Sequence, residues 1–167
     1  MSLNQGNSNT SKGEHYLYPG EIFAKNGSYI VTTILGSCVS VCLYDPVLRI
    51  GGINHYMLAL WNGEGLPSPR YGNIAIEKLV ERLIDLGASP NRLKAKVFGG
   101  AAVLQGSSGL MGVGERNIIV AEDMLSDLNI PIVSKDVGGT LGRKIIFYTD
   151  TSEILLKRIK PSNTHER

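Results

Sequence analysis

Two side chains in this sequence have the types that thiol chemistry needs. Cys38 stands in the run Leu35-Gly36-Ser37-Cys38-Val39, and His55 follows seventeen positions later in Gly51-Gly52-Ile53-Asn54-His55-Tyr56. The chain holds only two cysteines and three histidines. His15 is near the N-terminus and His165 is in a polar tail, so His55 is the one histidine inside a patterned, core-forming segment. A cysteine on a glycine turn and one internal histidine are the minimum for nucleophilic thiol catalysis.

The thiolate is the nucleophile, and a free thiol with a pKa near ~8.5 is only slightly ionised at neutral pH. An imidazole or inward-facing N–H groups can change that. Gly36 permits a tight turn just before the thiol, and amides around Ser37-Cys38-Val39 could face an oxyanion on an attacked carbonyl. The competing account of Cys38 is a small buried residue in a strand, the commoner role for cysteine. His55 likewise has a bland account, a core histidine whose ring nitrogens are satisfied. A Cys–His pair also needs a third group to fix the imidazole. No Asp or Glu stands close by in sequence, but Thr32 and Thr33 offer hydroxyls.

Other constellations are weaker. Cys38 and Cys42 with one internal histidine fall short of the four ligands of a structural zinc site or the three of most catalytic ones. Cys42 is expected to pack, on the same face as Cys38 but about 13 Å along a strand. The glycine pairs Gly99-Gly100 and Gly138-Gly139 match neither phosphate-binding pattern and are expected to be strand-end turns. Arg143, just beyond the second pair, is a candidate for holding an acidic group. Lys157, Arg158 and Lys160 are expected to be a solvated strand end.

Runs of apolar residues must position these groups. Strands are expected at Glu21–Ala24, Tyr29–Leu35, Val39–Tyr44, Ile50–Leu60, Leu93–Phe98, Ile132–Val137, Arg143–Tyr148 and Glu153–Ile159. Asn26-Gly27 predicts a hairpin between the first two, and a second hairpin is expected around Thr149–Ser152. Helical spacing appears at Ile74–Leu86, with Asn73 as N-cap, and at Asn117–Leu128. The stretches 61–73 and 105–114 are expected to be loops. Strands outnumber helices and do not alternate with them regularly, so the expectation is mixed α/β (α+β) with sheets packed together and helices on one side.

The 167 residues carry a net charge of +2 and are 43% hydrophobic. One domain is expected over 14–160, between a disordered N-terminal tail at 1–13 and a C-terminal tail at 161–167. So small a charge gives no case for nucleic acid, and no apolar run approaches the roughly 18–20 residues of a membrane span. No export signal is visible, so a cytoplasmic protein with reduced thiols is expected.

The runs 32–45 (TTILGSCVSVCLYD) and 51–58 (GGINHYML) resemble the CheD family, the chemoreceptor glutamine deamidases of chemotaxis. The resemblance continues through Arg70-Tyr71-Gly72, 96–101 (KVFGGA), Gly114-Glu115-Arg116-Asn117 and 136–143 (DVGGTLGR). It implies a three-layer α/β/β sandwich of largely antiparallel sheets with two main helices on one side, similar to the catalytic domain of cytotoxic necrotising factor toxins. It implies an amidohydrolase with a catalytic cysteine, histidine and threonine, carried over to Cys38, His55 and Thr32, with Thr33 the less favoured neighbour. Gly36, Ser37 and Arg143 are the candidates for contacting substrate. The implied substrate is a receptor glutamine, with a glutamyl methyl ester as a second possibility. The implied partner is the CheC phosphatase, and a regulatory binding module for it is the rival function. No cofactor or metal is expected, and a monomer is the default.

Overall fold

The computed structural model describes residues 12–102 and 112–160. In chain order the elements are β1 (Gly13–Tyr16), β2 (Ile22–Ala24), β3 (Tyr29–Leu35), β4 (Val39–Asp45), β5 (Ile50–Asn54), α1 (Gly72–Asp85), β6 (Lys94–Gly99), α2 (Val113–Asp127), β7 (Ile132–Val137), β8 (Gly142–Tyr148) and β9 (Ile154–Ile159), with one 3₁₀ turn at Pro90–Arg92. The strands form two mixed sheets, ordered β2-β5-β4-β6-β7 and β1-β3-β8-β9. The β1–β3 and β6–β7 pairs are parallel and the other pairs are antiparallel.

Strand β4 shows how the layers stack. Its alternation sends Val39, Val41 and Leu43 to one face and Cys38, Ser40 and Cys42 to the other. Both faces are covered. Val39, Val41 and Leu43 pack with Ala75, Ile76, Leu79 and Leu83 of α1 and with Val120, Ala121 and Leu125 of α2. Cys42 packs with Ile53, Phe98 and the apolar residues Val31, Leu35, Ile145 and Phe147 of the four-stranded sheet. The five-stranded sheet therefore has both helices on one face and the second sheet on the other. Leu79 and Leu83 are fully buried, each removing enough surface from water to contribute roughly 1.5–3 kcal/mol.

Several expectations shift. Asn26-Gly27 does turn, with Gly27 at φ +103°, but it does not close a hairpin. β2 pairs with β5, whereas β3 pairs with β1 and β8. The turn carries the chain from one sheet to the other, because Phe23 and Val31 both belong to the core between the sheets. The expected strand over Ile50–Leu60 stops at Asn54, beyond which Tyr56 pairs with Val39 and Leu58 with Tyr71 only as isolated bridges. Helix α1 starts at Gly72 with Tyr71 as N-cap, while the Asn73 side chain accepts a hydrogen bond from Trp61 N instead. Helix α2 starts at Val113, four residues before the expected position. The strand Gly13–Tyr16 was hidden because its four residues, Gly-Glu-His-Tyr, carry no apolar alternation.

The hairpin of β8 and β9 is present. Residues 1–11 of the expected tail at 1–13, the tail at 161–167, and residues 103–111, which take in 105–111 of the expected loop at 105–114, lie outside the described residues, whereas Gly13 belongs to β1 and Val113 and Gly114 open α2. Among the described residues no helix is long and apolar enough to cross a membrane.

Candidate active site

The site forms where the pairing of β4 with β5 comes to an end. The register runs Asp45↔Ile50 through Cys42↔Ile53, and its last rung is the reciprocal pair Val39↔Tyr56, bonded N to O at 3.1 and 3.0 Å. Val39 and Tyr56 face the helices. Cys38 and His55, one position away on each strand, therefore face the other sheet. They are diagonal neighbours across the rung, a relationship that places backbones about 7–8 Å apart and within reach of a long side chain.

His55 is 2% exposed. Its Nδ1 lies 2.7 Å from Thr33 Oγ1, and that hydroxyl donates to Leu17 O at 2.8 Å. The two contacts fix the tautomer. A threonine hydroxyl has one proton, and a carbonyl can only accept. The proton goes to Leu17 O, so Nδ1–H donates to Oγ1. The lone pair is then on Nε2, which is buried and has no hydrogen-bond partner among the described residues. His55 is thus held with its basic nitrogen free.

The third residue differs from the expectation carried over from the resemblance. Thr33, not Thr32, meets the imidazole. Along β3, Val31, Thr33 and Leu35 are buried toward the core between the sheets, and Thr32 lies on the opposite face, paired between Tyr16 and Ile146. A period of two decides it: one position along a strand exchanges the faces.

The Gly36–Cys38 turn is held by its carbonyls. Ala101 N donates to Gly36 O, Asn117 Nδ2 to Ser37 O and Gly100 N to Cys38 O, at 3.0, 3.0 and 2.9 Å. Of the amides expected to face an oxyanion, that of Val39 is taken by Tyr56 O, which leaves the Ser37 N–H, and the Gly36 N–H before it, as the donors of this turn without a protein acceptor among the described residues. Gly99 makes the close approach possible. It sits at φ +107°, and a Cβ there would lie 2.2 Å from Cys38 O.

Burial pushes the Cys38 thiol above the ordinary range, and the residue's own N–H, facing the sulfur, opposes part of that rise. Burial lowers the His55 imidazole to about 4, with the Glu21 carboxylate acting in the other direction. At neutral pH both groups are therefore neutral in the free protein, and no hydrogen bond joins the Cys38 sulfur to His55 Nε2.

Arg143 is not placed to hold an acidic ligand. It is buried, with Nε on Asp136 at 2.6 Å, Nη2 on Gly138 O at 2.8 Å and Nη1 within 3.3 and 3.4 Å of Gly99 O and Leu141 O. Asp136 also pairs with Arg158. Arg143 clamps the glycine turns that brace Cys38 O. Its charge alone gave no hint of this, but the glycines that precede it did. Cys42 is fully surrounded by the inter-sheet core, and burial pushes its thiol far up.

The family model for CheD chemotactic sensory transduction matches residues 59–158. A probable chemoreceptor glutamine deamidase CheD of Trichlorobacter lovleyi is 48% identical over 150 residues, covering 90% of this chain and 93% of its own length. A namesake from Sulfurimonas denitrificans is 44% identical over 147 residues, covering 87% of this chain and 94% of its own. A third, the probable chemoreceptor glutamine deamidase CheD 1 of Anaeromyxobacter dehalogenans, is 40% identical over 148 residues. Matches of that length necessarily take in positions 38 and 55, which the family model's span does not reach. With more than half of its residues inside the family model and near-complete overlap with these relatives, the chain belongs to the CheD family.

Proposed function

We propose that this protein is a protein-glutamine deamidase acting on methyl-accepting chemoreceptors. The observation that carries the reading is the Leu17–Thr33–His55 chain of hydrogen bonds, which leaves Nε2 as a free base on the face that Cys38 shares. The substrate is taken from the names of the relatives, of which the first three align over most of their own length.

The chemistry starts from the neutral pair. As Cys38 Sγ bonds to the side-chain carbonyl carbon of a receptor glutamine, its proton passes to His55 Nε2. The oxyanion is met by the free N–H groups of Gly36 and Ser37. When the intermediate collapses, the C–N bond breaks, nitrogen takes the proton from the imidazolium, and ammonia leaves. A water then gives a proton to Nε2 and adds to the thioester carbon. The C–S bond breaks, the sulfur recovers its proton, and glutamate is released. Thr33 keeps the imidazole in the required tautomer at each step, as the third member of a triad does. All the groups invoked are side chains and amides of this chain.

The same thioester route accommodates a glutamyl methyl ester, with methanol leaving in place of ammonia. The resemblance adds a CheC-type phosphatase as partner, and a cytoplasmic monomer is kept as the default working form. The order of layers supports the α/β/β class shared with the cytotoxic necrotising factor catalytic domain.

The test is Cys38→Ala with purified receptor. Wild type is expected to release ammonia and to raise receptor mass by about 1 Da per site, as NH₂ becomes OH through the acyl-enzyme. The variant is expected to do neither. Deamidation that survives the substitution overturns the mechanism. A wild type that releases no ammonia, yet stimulates the phosphatase, makes the binding module the function.

A further inference from the structure

We infer that Asn117 is a positioning residue, whose side-chain amide sets the placement of Cys38 relative to His55. The inference rests on the deamidase reading for its rate effect, and on geometry alone for its effect on thiol reactivity.

Beyond the Val39–Tyr56 rung the two strands separate. Met57 N and Leu58 N both turn away to Arg70 O. From there nothing in the backbone ladder ties Ser37-Cys38 to the segment that follows His55. Asn117, near the start of α2, supplies that tie. Its Nδ2 donates to Ser37 O at 3.0 Å and to Met57 O at 3.0 Å. Both protons of one planar amide are used, one on the residue before the nucleophile and one on the residue two after the base. Met57 is also the register partner that Cys38 would have if pairing continued. The Asn117 backbone carbonyl accepts the Tyr56 hydroxyl as well, so three bonds converge on the segments flanking the Cys–His pair.

Packing alone does not account for the residue. Asn117 is fully buried, and its Oδ1 has no hydrogen-bond partner among the described residues. An unpartnered buried acceptor is destabilising, so an apolar side chain would suit a purely structural position better. What an apolar side chain lacks is the two-pronged donor. Asp has no donors there, and Ser has one. The helix is also brought close: a Cβ at Gly114 would lie 2.5 Å from Gly100 O, in the turn that braces Cys38 O.

The experiment compares Asn117→Leu and Asn117→Ser with wild type and with His55→Gln. The readouts are kcat and KM for receptor deamidation, the rate of Cys38 alkylation by iodoacetamide, and Tm. Asn117→Leu is expected to lower kcat about 100-fold, the effect of an ångström-scale displacement of reacting groups. Its KM is expected to stay within about threefold. Alkylation of Cys38 should slow toward the His55→Gln rate, and Asn117→Ser should fall between. A folded Asn117→Leu protein with wild-type kcat and wild-type alkylation overturns the inference, because a merely structural residue would change Tm alone. If wild type shows no deamidation, the functional reading fails, and the alkylation rates still decide the role of Asn117. Should both variants fail to fold, hydrogen exchange of the wild-type Asn117 side-chain amide decides. Protection of both protons is expected, and exchange of either at the rate of an exposed asparagine overturns the fork.

Discussion

Cys38 and Cys42 lie on the same face of one stretch of chain, four residues apart, and both pack against the core between the sheets, but Cys42 is buried within it and Cys38 is only partly covered. Cys42 is in mid-strand, with Ile53 across from it on β5 and Lys96 on β6. Ile53 and Phe98 flank it on that face together with Lys96, and burial holds its thiol far above the ordinary range, with the Lys96 ammonium opposing part of the rise. Cys38 precedes the last rung, where the ladder gives way to a turn. Its carbonyl is bonded, while among the described residues the N–H groups of Gly36 and Ser37 have no acceptor and the imidazole diagonal to it has an unpartnered nitrogen. The side chain is the same in both cases. What differs is whether the backbone around it is consumed by the sheet or released by it.

The most forceful way to sharpen the contrast is to remove the base that only Cys38 has. His55→Gln is expected to cut kcat by about 10²–10⁴-fold, the usual contribution of a positioned general base. It also changes the pH dependence of stability. The His55 pKa, about 4 when folded, lies below an unfolded value near 6.5. The unfolded chain then binds the extra proton between these values, so the stabilisation is complete above pH ~6.5 and is lost as pH falls toward 4. The shift corresponds to about 3 kcal/mol. Urea unfolding between pH 4 and 7 should show this slope in wild type and not in His55→Gln. An unchanged slope in the variant would assign the acid sensitivity to another group.

A smaller effect tests the tautomer. Thr33→Val keeps the shape and removes the hydroxyl, so Nδ1–H loses its acceptor and Leu17 O its donor. A loss of roughly 10–100-fold in kcat is expected, milder than losing the base itself, since the imidazole remains. Thr32→Val, on the other face of β3, should stay within about threefold, the range of a substitution that does not touch the reacting groups. Steady-state kinetics of the two variants side by side decide between neighbouring threonines. The reverse outcome would mean that β3 shifts register when substrate binds.

These two threonines also show what the sequence could convey. The thiol, the histidine and the existence of a hydroxyl partner were legible as residue types at a fixed spacing. The assignment of the hydroxyl was not, because it depends on which face of β3 meets the second sheet, and Tyr29–Leu35 is apolar enough on both faces to obscure that. The Asn26-Gly27 turn misled for a related reason. A turn signal specifies local geometry, whereas pairing of β2 with β5 and of β3 with β8 is set by contacts far along the chain. The helices were legible, since Ile76, Leu79, Val80 and Leu83 mark one stripe, but their first turns were not, being Gly-Asn and Val-Gly-Glu with no side-chain cap. Arg143 looked available because its partners, the Gly99 and Gly138 carbonyls and Asp136, become neighbours only once β6, β7 and β8 are in place.

The smallest effect belongs to Cys42, and it is the one that can break the comparison outright. Cys42→Ala removes a sulfur from the core between the sheets and leaves a small void. A stability loss of about 1 kcal/mol is expected, within the common range for core truncation. Activity at temperatures well below the unfolding transition should be unchanged, and Cys38 should alkylate at the wild-type rate. Cys42→Ser instead buries a hydroxyl among Ile53, Phe98 and Phe147, costing about 1–3 kcal/mol if it finds no partner. Both variants are checked by thermal unfolding and by turnover on the same receptor. If Cys42→Ala abolished deamidation while staying folded, position along the strand could no longer be what separates the two thiols. If only Tm moves, the pair forms an internal control: identical side chains, one embedded in the ladder and inert, the other at its frayed end with His55 diagonal to it.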